Sequence, residues 1–259
     1  MKPARFEYER PQDVPAALSL LKNEARILAG GQSLGPMLNL RIVQPPLVVD
    51  VRSIPELRGF SEDPETVTLG ACTTHAAIED GRVPDPSRGL MRHVASNIAY
   101  RAVRNRGTIG GSLAHADPAA DWPSALALLG GVAIIQNPEG KREIALERFV
   151  TGLFSTALAD DDLLVALRLN KLSEKARWGY WKFCRKAGEF PQAIAGALHD
   201  PERGVTRAVI GALRGAPHVI ADARHCDPAA EAARLCADPY ERQLHAVALR
   251  RALAQAHLA

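Results

Sequence analysis

Residues 28–34 read LAGGQSL and residues 108–112 read TIGGS. Each stretch sets two adjacent glycines next to hydroxyl and apolar residues. A glycine pair lets backbone N–H groups come close to a ligand, because no Cβ stands in the way. Placed before a helix, those N–H groups favour an anion, most often phosphate. Neither stretch is GxGxxG or GxxxxGKS, so the chain carries neither a Rossmann fingerprint nor a P-loop. One such turn is more often structural than functional. Two of them change the reading, because a pyrophosphate presents oxygens on two sides. Together they point to a dinucleotide held between two subdomains.

Other chemistry-bearing residues are weaker signals. His115, Asp117 and Asp121 in HADPAAD read either as metal ligands or as a turn-rich loop with a capping Asp before Pro118. The turn is favoured, because no second His or Cys cluster completes a metal site. His75 is expected in the first turn of a helix, and Trp122 at a subdomain interface. Tyr180 suits a core strand as well as a ligand. No Ser–His–Asp or Cys–His arrangement stands on spacing alone.

Cys72, Cys184, Cys226 and Cys236 form no CxxC and match no zinc or iron–sulfur framework. Reduced thiols in a cytoplasmic protein are the expectation. A net charge of +3 over 259 residues, without a run of like charges, gives no case for nucleic acid. No apolar run reaches membrane-spanning length. MKPARFEYERP has no apolar h-region, so no secretory signal is expected.

The elements that must position the glycines follow from periodicity. PQDVPAALSLLKNE reads as a helix capped by Asp13 with Pro15 in its first turn. ARILAGG is a strand entering glycines, Ser33 caps the next helix, and PPLVVDVRSI is a second strand. A second unit has strands at ETVTLGACTT, VAIIQ and DLLVALRLN, a capped helix start at THAAIEDG and a helical stripe over GLMRHVASNIAYRAVRN. Beyond NKLSEKA, strands at ARWGYWKFCRKA, QAIAGALH and TRAVIGAL precede helices near 228–237 and 240–257. Three strands followed by helices predict a separate α+β lobe.

Three stretches carry a resemblance: LAGGQSLGPMLNLR, RNRGTIGGSLAHADPAADWP and YWKFCRKAGEF. In this order the chain resembles the FAD-binding medium subunit of molybdenum hydroxylases. That family includes the carbon monoxide dehydrogenase medium chain and the xanthine dehydrogenase FAD domain, within the PCMH (para-cresol methylhydroxylase) type of FAD-binding flavoproteins. The match covers nearly the whole chain. It implies an α+β fold with FAD-binding subdomains at 1–55 and 56–172. A C-terminal lobe, 173–259, would carry a three-stranded antiparallel sheet plus helices.

The resemblance also implies a site. Leu28, Ala29, Gly30, Gly31, Gln32, Ser33 and Leu34 fall on the first pyrophosphate loop. Thr108, Ile109, Gly110, Gly111 and Ser112 fall on the second. Ile98 and Ala99 match positions against the flavin, Asp121 the acidic residue on the cofactor's polar arm, and Leu164 an apolar contact. Tyr180 and Lys182 match residues beside the isoalloxazine ring, where an aromatic shields one face and a lysine favours the negative charge of reduced flavin. Gln32 stands where many relatives have His, and Ser112 where many have Asn. The C-terminal lobe is on the short side.

The implied role is electron relay by FAD. The molybdenum cofactor and two [2Fe–2S] clusters would lie on partner subunits, a large molybdopterin-binding one and a small iron–sulfur one, as a dimer of heterotrimers. Electrons would leave to NAD, O2 or a quinone-linked acceptor. Two other classes stay open: a self-contained FAD-dependent reductase or oxidase, and a non-redox nucleotide-binding assembly module.

Overall fold

A computed structural model describes residues 2–22 and 24–258. Three larger sheets follow one another along the chain, with a two-stranded ribbon, Val150–Gly152 against Ser155–Thr156, beside them. The first is parallel, with Leu47–Asp50 between Glu7–Glu9 and Arg26–Leu28. Parallel neighbours need crossovers, and the helices Val14–Leu20 and Leu34–Asn39 supply them. Asp13 caps the first helix, accepting from the Ala16 amide at 2.8 Å, with Pro15 in its first turn. The expected helix segment runs on to Glu24, but the helix ends at Leu20, and Asn23 lies outside the described residues. Val14, Ala17, Leu18, Val49, Ile54 and Leu57 form this unit's core, joined by Leu163 and Val165 of the next sheet.

The second sheet is antiparallel, in the order Phe60–Glu62, Thr66–Gly70, Leu163–Asn170, Val132–Asn137 and Gly140–Ala145. Its central strand arrives last in sequence. A register shift between Leu164 and Ala166 interrupts that strand. Successive strand residues face opposite sides, and a bulge resets the alternation. Leu163 and Val165 therefore serve the first core, while Leu164, Leu167 and Leu169 serve the large central one.

Between Thr66–Gly70 and Val132–Asn137 the chain forms the helices His75–Glu79, Leu90–Ser96, Arg101–Arg104, Ile109–His115 and Asp121–Leu129, which carry the candidates Ile109, Gly110, Gly111, Ser112 and Asp121. The helical stripe expected over 89–105 is thus two helices with a break at residues 97–100. Residues 121–128 are all buried. A helix apolar all round belongs inside, and this one lies between the second sheet and the strands Ala193–Asp200 and Val205–Gly211.

Those two strands belong to the third sheet, ordered Arg177–Phe183, Ala193–Asp200, Val205–Gly211 and His218–Ile220. It has four strands where three were expected; HVI is too short to read as a strand in the sequence alone. Ile194 and Leu198 face the central core, while Ala193, Ala195 and Ala197 face the C-terminal helix Pro239–Gln255. On the edge strand the same alternation puts Tyr180 in the central core and Trp181 against the C-terminal helix, under the Arg251 guanidinium at 4.4 Å. No described helix is long and apolar enough to cross a membrane.

Candidate functional site: a glycine cradle and a buried ion pair

The first glycine loop leaves the strand Arg26–Leu28 and turns sharply. A Cβ on Gly30 would stand 2.7 Å from Gly107 Cα and nearer still to the Arg106 carbonyl, so this loop sits directly on the second. Gly31 has φ +71°, a left-handed conformation that costs glycine nothing. Among the described residues, the amides of Gly31, Gln32 and Ser33 have no hydrogen-bond partner. Gly31 and Gln32 are half-buried, where amides are normally paired, and Ser33 is exposed beside them, so these free amides mark a place for acceptor oxygens. Ser33 occupies the N-cap position, but its side chain makes no capping bond, and the expected cap is absent. That hydroxyl stays available as a donor. Leu28 and Leu34 flank the turn and are half-buried.

The second loop is built differently. Thr108 caps the helix Ile109–His115, its Oγ1 accepting from the Gly111 amide at 3.1 Å. Ile109 donates to the Thr73 carbonyl at 3.0 Å, Gly110 to the Ala71 carbonyl at 2.9 Å and Ser112 to the Thr108 carbonyl at 3.0 Å. All four amides are used within the protein. The glycine pair here serves close packing instead: a Cβ on Gly110 would lie 2.8 Å from Ala71 Cα, and one on Gly111 would lie 3.3 Å from Ala29 Cβ. Thr108 and Ile109 are buried, and Gly111 and Ser112 remain partly open beside the first loop.

Ile98 and Ala99 form the break between two helices. Ala99 holds φ +40°, unusual for a residue with a Cβ. Arg104 keeps it there: Nη1 donates to the carbonyls of Ile98 at 3.0 Å and Ala99 at 3.1 Å. The other edge of the same guanidinium grips Glu79, with Nε at 2.8 Å and Nη2 at 3.0 Å. The Arg104 guanidinium holds the Glu79 carboxyl below its usual range. Arg104, Glu79 and Thr73 carry no sequence signal of these roles, because their partners are remote in sequence or are backbone carbonyls.

Asp121, Tyr180 and Lys182 meet in one cluster. Lys182 Nζ donates to Asp121 Oδ2 at 2.9 Å, to Oδ1 at 3.1 Å and to the Asn97 carbonyl at 2.9 Å. The Tyr180 hydroxyl donates to Asp121 Oδ1 at 3.1 Å. Burial pushes the Asp121 carboxyl up, and the Lys182 charge pulls against it. Burial and the neighbouring Asp121 raise the Tyr180 phenol well above its ordinary range. Tyr180 is 4% exposed, so its ring packs in the core, with His93 edge-on at 6.4 Å. A cavity of about 190 Å³ opens beside the cluster, lined by His93, Asn97, Trp181, Lys182 and Gln255 with Tyr180.

The candidate residues therefore lie along one run of contacts. Ala29 and Gly30 touch the second loop, Arg104 ties the helix before that loop to the 98–99 turn, and Asn97 beside the turn holds Lys182. Leu164 stands apart, buried in the central core and paired with Ile135. His115 packs on Phe154 with ring centroids 5.2 Å apart, and Asp117 Oδ1 accepts from the Ala119 amide at 2.9 Å in a turn before Pro118. His75 opens its helix and accepts from Trp122 Nε1 at 3.0 Å through Nδ1.

A row of free amides, half-buried at Gly31 and Gln32 and exposed at Ser33, with two hydroxyls nearby fits the oxygens of a pyrophosphate. With the three sheets in this order, it defines an FAD-binding domain of the PCMH type. Residues 4–171 match the family described as the FAD binding domain in molybdopterin dehydrogenase, and the chain belongs to that family. It is 36% identical over 196 residues to the carbon monoxide dehydrogenase medium chain of Hydrogenophaga pseudoflava, covering 74% of this chain and 68% of that one. It is 35% identical over 222 residues to the 6-hydroxypseudooxynicotine dehydrogenase complex subunit alpha of Paenarthrobacter nicotinovorans, covering 83% and 74%. The solved carbon monoxide dehydrogenase from Hydrogenophaga pseudoflava that lacks the Mo-pyranopterin moiety superimposes with a TM-score of 0.89 at 29% identity, over 99% of each chain. The chain is thus an FAD-binding medium subunit of the molybdenum hydroxylase family, an oxidoreductase subunit whose cofactor is FAD.

Proposed function

We propose that this subunit relays electrons through FAD within a larger molybdenum hydroxylase. A small subunit would carry the [2Fe–2S] clusters that deliver the electrons, and a large molybdopterin-binding subunit would oxidise the substrate, in a dimer of heterotrimers. The electrons would pass on to NAD, O2 or a quinone-linked acceptor. Relatives named as subunits of carbon monoxide dehydrogenase, caffeine dehydrogenase and nicotine 6-hydroxylase support this reading. Four unpaired cysteines suit a reducing cytoplasm.

The observation that carries the site is the contact between the two glycine loops, with the free amides of Gly31, Gln32 and Ser33 at its edge. In this reading, residues 28–34 with Gly111 and Ser112 hold the pyrophosphate. Thr108, Ile109 and Gly110 shape that seat from behind, through the cap and the ladder to Ala71 and Thr73. Ile98, Ala99, Tyr180 and Lys182 border the flavin ring, Asp121, expected on the cofactor's polar arm, joins this border through its ion pair with Lys182, and Leu164 supports the ring from the core. The FAD-binding units run 1–55 and 56–172, and 173–259 forms the third unit. The bound group supplies the redox chemistry. The chain binds it, orients it and fixes the charges around it.

Purification of the tagged chain from its native host tests the whole reading. Flavin released by heat should run as FAD, since the single phosphate of FMN needs only one loop. Molybdenum and iron should co-purify with it. A yellow chain that brings down no metal-bearing partner would make it a self-contained flavoprotein.

A further inference from the structure

The ion pair between Asp121 and Lys182 is closed on itself. An ammonium has three donors, and Lys182 spends all of its own on the two Asp121 oxygens and the Asn97 carbonyl. The Asp121 side chain is 7% exposed and that of Lys182 14%. A cation with a carboxylate within about 3 Å projects little field, because the partner cancels it at distances beyond the pair's own separation. The cation expected beside the flavin is therefore present but neutralised.

Resting on the flavin reading of this cluster, we propose that Asp121 is a positioning residue that holds Lys182 in a closed ion pair and so withholds its charge from the flavin ring. The two partners then respond unequally to removal. Without Asp121, a full positive charge stands beside the ring. Without Lys182, a buried carboxylate has lost its counter-ion, and such a group takes a proton from solvent rather than stay charged. Burial already biases the Asp121 carboxyl that way. The other groups facing the pair are His93 from the helix Leu90–Ser96, Tyr180 on the same strand as Lys182, and Cys184 just past its end. Burial pushes His93 down and Tyr180 and Cys184 up, so at pH 8 all three are neutral and the pair alone sets the local charge.

The test compares wild type, Asp121→Asn, Lys182→Met and the double variant at pH 8. The flavin midpoint potential should shift upward in Asp121→Asn and stay near wild type in Lys182→Met and in the double variant. The infrared spectrum should show a protonated carboxyl band in Lys182→Met that is missing from wild type and from the double variant. An unchanged or lowered potential in Asp121→Asn overturns the proposal. So does a fall in Lys182→Met as large as the rise in Asp121→Asn, since that describes an independent cation. Should Asp121→Asn fail to fold, Lys182→Met decides: a lowered potential, or no carboxyl band, refutes the closed pair. The infrared reading needs no cofactor, so an intact pair in a chain that binds no FAD would mark the flavin reading itself as the failure.

Discussion

Gly31 and Gly111 occupy corresponding places in the two loops but are glycine for different reasons. At Gly31 the backbone is left-handed, and Leu28 Cδ1 lies 3.1 Å from where a Cβ would stand. Gly31→Val meets strain of about 1–3 kcal/mol and puts a branched side chain among the free amides. It should lose most of its FAD while keeping the fold, as read from the flavin-to-protein absorbance ratio and far-ultraviolet dichroism. Gly111→Val must instead push on Thr108 Oγ1, 2.7 Å from its Cβ, and on Ala29. It should lose FAD and also about 1–2 kcal/mol of stability, through the cap it displaces. Full flavin loading in either variant would remove that loop from the site.

At the scale of elements, the important feature is a break. GLMRHVASNIAYRAVRN has no glycine or proline between residues 90 and 106, yet the helix stops at Ser96 and restarts at Arg101. The left-handed Ala99 persists because Arg104 holds two carbonyls of the turn and is itself held by Glu79. Arg104→Met should cost about 1–2 kcal/mol in urea unfolding, as expected for leaving two half-buried carbonyls unpaired while Glu79 keeps its bond from Arg101. It should also weaken FAD binding. Adding Glu79→Gln should cost less than Glu79→Gln does in the wild type, because one of its two arginine partners is already gone, and additive losses would show that Arg104 and Glu79 act separately. The cap at Thr108 makes a smaller prediction. Thr108→Ala should cost about 1 kcal/mol, while Thr108→Ser should be nearly neutral.

At the scale of the whole molecule, one buried imidazole links stability to pH. His75 joins the second glycine loop to Trp122, with its Nδ1 accepting from the indole and a Cβ on Gly107 reaching within 2.7 Å of its Nε2. Burial first, and the Arg104 charge second, push His75 down to about 4 from 6.5. Between those values the unfolded chain binds a proton that the native state refuses. Stability therefore rises with pH across that window and levels off above it, by about 3 kcal/mol in all. Urea midpoints from pH 4 to 8 should show the rise, and His75→Gln should flatten it. An equal slope in the variant would place the titration elsewhere.

Local chemistry in the sequence settled a good deal by itself. Asp13, Thr74, Asp227 and Asp238 cap the helices they precede, because a short polar side chain before a helix finds its amides with no outside help. Strand patterning placed three of the five strands of the second sheet and three of the four of the third, while the short Phe60–Glu62 and His218–Ile220 and the charged Gly140–Ala145 gave no such signal. The glycine pairs and the YWK stretch named the candidate site. What those residues do was decided by packing. The TIGGS amides are consumed by Ala71, Thr73 and Thr108, which no spacing rule foretells. Tyr180 became a core residue because the helix Asp121–Leu129 is enclosed between two sheets and brings Asp121 beneath its hydroxyl. Asp121 and Lys182 are remote in the chain, and their charges cancel because the fold removes both from water at one point. Dielectric screening and contact distance belong to the assembled interior, so the pairing of these two charges is a property of the tertiary structure alone.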